Sequence, residues 1–214
     1  MHIKPYLPYI GIAALTLGLA VLAGYANLRQ HSPNSGQAAT ISVIWPGRPL
    51  SNFEVQTIRG KTLNRDALRG HWSLIVFGDA DCAPRCRSNL NALAAATSEL
   101  GTLPPVEYPH VYLISVDPQP EHAPEFKTFL QRFYPDFTGA TGSEEQLKVL
   151  ALGLRTGFSR LPVDKYAHYL ARHPARILVV DPDARQIATM KLPLTREQIS
   201  AQYRFFLKLY KARS

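Results

Sequence analysis

The stretch Trp72-Ser73-Leu74-Ile75-Val76-Phe77-Gly78-Asp79-Ala80-Asp81-Cys82-Ala83-Pro84-Arg85-Cys86 decides how this sequence folds. Its first half is an apolar run short enough for a buried strand, and its second half is a turn that holds both cysteines of the chain. Pro84 favours the first turn of a helix, because its missing N–H is one of the donors that a helix start leaves unpaired. Leu90, Leu93 and Leu100 then give that helix a partial apolar stripe. Cys82 and Cys86, at the i and i+4 positions, share one face of its first turn. The positive end of the helix dipole, with Arg85 and Arg87 beside it, favours thiolate over thiol. Such a pair serves as soft-metal ligands, as a redox couple, as both, or as a structural disulfide.

Working outward, the chain after the cysteines shows Pro104-Pro105 in a loop and then Val111–Val116, a second apolar strand. Strand, helix and strand predict a parallel pair with a right-handed crossover. Phe126, Phe129, Leu130 and Phe133 lie at helical spacing within Glu121–Phe133 and predict a core-facing helix. Ser143 with Gln146 has the spacing of a capping box and opens a third helix through Leu147, Leu150 and Leu154. Ile177–Val180, the turn Asp181-Pro182-Asp183-Ala184-Arg185 and Gln186–Leu192 predict an antiparallel hairpin at one end of the sheet. Thr195 with Gln198 predicts a capped final helix through Phe205, Phe206 and Leu207. Upstream, Asn52–Thr57, the turn Arg59-Gly60 and Lys61–Leu63 predict a β-hairpin. The fold class is α/β: a thioredoxin-like fold with an N-terminal β-hairpin, its cysteines at the first strand-to-helix junction.

With 214 residues, 46% hydrophobic and 19% charged, the chain is expected to form one domain plus an appendage. The net charge of +8 is spread through the sequence without aromatic-interleaved basic runs, which argues against nucleic-acid binding and leaves acidic lipid or an acidic protein as partners for a basic surface. The appendage is the segment Tyr6–Leu28, which carries no charge. As a helix Leu7–Leu28 would span about 33 Å, enough to cross roughly 30 Å of hydrocarbon. We therefore expect one transmembrane helix within 1–30, in preference to a cleaved signal ending near Gly24-Tyr25-Ala26, then a polar linker over 31–44 and the thioredoxin-like domain over 45–212. Lys4 and the terminal amine bias the N-terminus to the cytoplasm, so the expected setting is a bacterial inner membrane, single-pass, with the domain facing the periplasm.

Phe77-Gly78 before a Cys-x-x-x-Cys pair, Ile114-Ser115-Val116-Asp117-Pro118, Phe137–Gly142 ahead of a helix, and a histidine eight residues before Asp181-Pro182-Asp183 occur in this order. In these features the sequence from Trp45 to Met190 resembles the Sco/SenC family, thioredoxin-like, membrane-anchored copper chaperones of cytochrome c oxidase assembly. The resemblance implies copper, as Cu(I) or Cu(II), on Cys82, Cys86 and His173, and as partner the copper-binding subunit of cytochrome c oxidase or another cuproprotein. Two thiolates and an imidazole suit that metal, whereas zinc usually takes a fourth protein ligand in a structural site. His168 is the rival third ligand, and His71, His110 and His122 sit in loops with no evident partner.

The sequence departs from the family pattern near the cysteines. The family has proline after each cysteine and an acidic residue between them, where this chain has Ala83-Pro84-Arg85 and then Arg87. Arg172 stands where the family has an aspartate before the histidine, and Pro174 lies near the position of the cis-proline of thioredoxin-like redox proteins. These differences favour the alternative of a thiol–disulfide oxidoreductase, with Cys82 attacking, Cys86 resolving and the cysteines of a cuproprotein as substrate. Thiol peroxidases carry Thr or Ser three residues before the reactive cysteine, a position held here by Asp79.

Overall fold

The computed structural model describes residues 41–80, 84–117, 122–162, 169–172 and 174–212. The expected transmembrane segment, the linker up to residue 40, Cys82, His168 and His173 lie outside the described residues. No helix among the described residues is long and apolar enough to cross a membrane.

The run at 72–78 forms strand β4 (Ser73–Gly78), every residue of which is buried. Its side chains alternate between two cores: Leu74 and Val76 point to one face of the sheet, Ile75 and Phe77 to the other. A strand buried on both faces has no place for polar alternation, which is why this one is a continuous apolar run. Helix α1 (Pro84–Glu99) follows, and strand β5 (His110–Ser115) pairs in parallel with β4 from Ser73 opposite His110 to Gly78 opposite Ser115. Helix α2 (Ala123–Phe133), strand β6 (Thr138–Thr141) and helix α3 (Glu144–Gly153) come next. Strand β9 (Arg176–Val180) lies antiparallel on the other side of β4, followed by β10 (Arg185–Lys191) and the closing helix α4 (Arg196–Lys211). This is a thioredoxin-like α/β arrangement.

The sheet is larger than the sequence predicts. Its eight strands run β1-β10-β9-β4-β5-β6-β2-β3, where β1 is Ile41–Pro49 and the expected hairpin is β2 (Glu54–Thr57) with β3 (Thr62–Asn64). The hairpin β9–β10 is therefore not the end of the sheet, because β1 adds outside β10. A separate antiparallel ribbon joins β7 (Ser159–Pro162) to β8 (Tyr169–Arg172).

Helices α1, α2 and α4 cover one face of the sheet through Leu90, Leu93, Phe126, Leu130, Tyr203 and Phe206, and α3 covers the other through Leu147 and Leu150. Burial of such side chains contributes roughly 1.5–3 kcal/mol each before chain entropy is counted. Phe133 departs from the expected core stripe of α2, since it is 44% exposed. The cap at Thr195 is the complete box expected, with Thr195 Oγ1 accepting from the Gln198 N–H and Gln198 Oε1 accepting from the Thr195 N–H. At Ser143 only half forms: Ser143 Oγ accepts from the Gln146 N–H, but Gln146 Oε1 accepts instead from the N–H of Glu54 at 2.8 Å. The side chain thus ties α3 to the start of β2 instead of completing the local cap.

Candidate metal and redox centre

Cys86 lies in the first turn of α1, half-buried against the core beneath the helix. It is disulfide-bonded, and the sequence holds one other cysteine, Cys82. Strand β4, which precedes it, ends at Gly78, where the backbone is fixed on its neighbour: the Val116 N–H donates to the Gly78 carbonyl at 2.9 Å. Gly78 is itself a close-approach position, because a Cβ there would lie 3.0 Å from Leu113 Cδ1.

Two further chain segments reach the same end of the sheet. The first is the end of β5, where the Asp117 N–H donates to Ser115 Oγ at 3.2 Å and Thr141 Oγ1 donates to the Asp117 carbonyl at 2.8 Å. The Asp117 carboxylate in turn holds His122 Nδ1. The expectation that His122 lacks a partner is therefore wrong: its ring meets the carboxylate of a residue five positions earlier. The second is the start of β9. Its register against β4 sets Ser73 opposite Val180, Leu74 opposite Val179 and Ile75 opposite Leu178. Antiparallel pairing runs the two strands in opposite directions, so the start of β9 at Arg176, preceded by Pro174 and Ala175, lies at the Gly78 end of β4. The Leu192 N–H anchors this segment through the Ala175 carbonyl at 2.9 Å.

Cys86, the Asp117–His122 pair and the chain entering β9 thus meet at one edge, at the carboxyl ends of the parallel strands. That is where open α/β sheets place their chemistry. Among the described residues no group of three His, Cys, Asp or Glu side chains could hold a metal ion. The remaining members of the expected set, Cys82 and His173, lie outside the described residues.

Arg87, one residue beyond Cys86, projects from α1 to α2, its guanidinium 5.2 Å from the Phe133 ring centre and 6.0 Å from that of Phe129. Arg132 lies 5.3 Å from the same Phe133 ring. Tyr134 Oη donates to Asn91 Oδ1 at 2.7 Å, with the Arg87 carbonyl at 3.3 Å. Burial pushes the Tyr134 phenol up from its ordinary value, and the charge of Arg87 opposes that shift. Sequence reading missed this contact because it joins two helices, although a lone aromatic one residue past a helical stripe is the signal that could have found it.

The other two histidines among the described residues, His71 and His110, lie at the opposite end of the sheet. His71 and His110 also have partners that sequence reading missed, since their rings stack at a centroid distance of 4.3 Å and His71 Nε2 lies 3.1 Å from the Tyr112 hydroxyl. A hollow of about 700 Å³ between Thr97, Ser98, Tyr108, His110, Tyr134 and Asp136 opens toward the far end of α1 and not at Cys86. The described residues place cis bonds at Trp45-Pro46 and Leu192-Pro193, whereas the bond before Pro174 begins outside them.

Known proteins share this fold. A copper-bound structure of ScoI from Bradyrhizobium japonicum superposes with a TM-score of 0.63 over 73% of this chain and 98% of that one, at 24% identity, which establishes likeness of fold. The SCO2-like protein RP587 of Rickettsia prowazekii is 27% identical over 88% of this chain and 91% of its own length. The mitochondrial SCO2 homolog of Bos taurus is 27% identical over 75% of this chain, which spans 60% of the bovine protein's length. The family model described as SCO1/SenC matches residues 47–208, from the first strand through the last helix and across the cysteine turn, and the chain belongs to that family.

Proposed function

We propose that this chain is a copper chaperone that carries copper as cargo on the thiolates of Cys82 and Cys86 and the imidazole of His173, for assembly of a copper site in cytochrome c oxidase. The carrying observation is the β4–β9 register, by which the chain just after residue 173 meets the end of the strand that leads to Cys86. Two thiolates and one imidazole form a soft donor set that suits Cu(I) and accepts Cu(II). Membership of the SCO1/SenC family supports the same reading. The disulfide on Cys86 must first be reduced, because copper binds thiolate and not disulfide sulfur. In this reading residues 1–30 form a single transmembrane anchor in a bacterial inner membrane and residues 31–44 a tether that lets the domain over 45–212 reach its partner in the periplasm.

The test is copper titration of the reduced full chain. One copper per chain is expected, lost in Cys86→Ser and weakened in His173→Ala, with His168→Ala unchanged. Equal copper retention in a Cys82→Ser, His173→Ala protein overturns the assignment.

A second reading is favoured by the disulfide itself: a thiol–disulfide oxidoreductase that reduces the cysteines of a cuproprotein. A potential near the thioredoxin value of about −270 mV fits a reductant, and one near about −120 mV an oxidant. A disulfide that exchanges no faster than a model peptide eliminates this reading.

A further inference from the structure

The arginines around the cysteine turn, which the family likeness leaves unexplained, acquire a role from what they touch. Phe133 is an exposed aromatic ring with two guanidiniums near its centre, Arg87 at 5.2 Å and Arg132 at 5.3 Å. Both arginines are exposed, and among the described residues neither is paired with a carboxylate. A guanidinium stacked on a ring keeps its N–H edge for a carboxylate while losing rotamer freedom in advance, so binding costs less entropy. Arg87 follows Cys86 in the first turn of α1 and reaches across to Phe133 on α2, so the platform starts from the helical turn that holds the cysteine.

From this geometry we propose that Arg87, Phe133 and Arg132 form a docking platform for an acidic segment of the protein that exchanges copper or electrons at the cysteine pair to which Cys86 belongs, a proposal that rests on that pair being the exchanging group. The net charge of +8 supplies long-range attraction, and the platform fixes where it acts. A protein partner is favoured over lipid because Arg87 stands in the same helical turn as Cys86, where a partner that exchanges at the cysteines has to dock.

The probe is a set of three peptides, each with one cysteine flanked by four acidic, four neutral amide or four lysine residues. Peptide thiolate attacks the disulfide on Cys86, so one S–S bond breaks as a mixed disulfide forms. A second peptide thiol then releases two protein thiols and one peptide disulfide. Rates are measured on the oxidised full chain and normalised to each peptide's rate with 2-hydroxyethyl disulfide. At 10 mM salt the acidic peptide is expected to exceed the lysine peptide by about tenfold, falling below about twofold at 500 mM. Arg87→Glu with Arg132→Glu is expected to abolish or invert the preference, while Lys61→Glu with Lys191→Glu, an equal change in net charge at exposed sites elsewhere, keeps it. Equal normalised rates for the three peptides overturn the proposal. If the Arg87→Glu, Arg132→Glu protein then also binds phosphatidylglycerol more weakly than wild type, with phosphatidylcholine binding unchanged, the platform serves a membrane surface instead. Copper titration separates the two readings: a chain that binds no copper yet prefers the acidic peptide keeps the platform and loses the chaperone.

Discussion

The imidazoles of His71 and His110 stack with ring centroids 4.3 Å apart and planes 30° from parallel, at the pole of the sheet opposite Cys86. Burial lowers the pKa of both, and the neighbouring His110 lowers that of His71 further. The folded state therefore binds fewer protons than the unfolded chain, whose histidines titrate near about 6.5. Stability from this pair is present above that pH and is lost as pH falls below it, levelling off under the lowered folded values. The thermal midpoint is expected to fall between pH 7.5 and 5, with a shallower slope in the His71→Gln, His110→Gln protein.

Gly139 sits in β6 where the sheet meets α2. A Cβ there would collide with Leu130 Cδ1, lie 2.9 Å from Phe126 Cε1 and 3.1 Å from Ile58 Cγ2. Gly139→Ala is expected to destabilise by about 1–3 kcal/mol, as overpacked cores do. Urea denaturation gives the number, and an unchanged midpoint would show that α2 can move away freely.

Reducing the disulfide should cost little. The two cysteines of the chain are four positions apart, and closing so short a loop contributes about 2 kcal/mol by chain entropy. Paired denaturation curves with and without dithiothreitol check this. A loss much above that value would mean that the disulfide holds the core as well as the turn.

Thr195→Ala removes the oxygen that accepts the Gln198 N–H at the start of α4. The expected loss is about 1 kcal/mol, read as a lower thermal midpoint with an unchanged far-ultraviolet spectrum.

What the residues reveal in advance follows from local physics. β4, α1 and β5 are legible because burial on both faces leaves an apolar run and Pro84 marks a helix start. β6 is not, since Thr138-Gly139-Ala140-Thr141 has weak strand propensity and becomes a strand only by pairing with β5 and β2. β1 is hidden differently: it contains Pro46 and Gly47, its register shifts between Val43 and Arg48, and its burial follows no two-residue period. At the site, Cys86 and its helix are readable, whereas the Asp117–His122 pair and the stacking of Arg87 on Phe133 depend on turns and helix packing that no single segment encodes.

The strand that delivers the cysteines has hydrogen-bonded neighbours on both sides, and its ladder stops at Gly78. The last paired residue of β4 is Gly78, opposite Ser115, so the hydrogen bonds that hold the strand are complete before Asp79. Gly78 and Pro84 are thus the two fixed ends of a socket. Sequences of other composition that keep Cys82 could be grafted between them to alter metal preference or potential on the same scaffold.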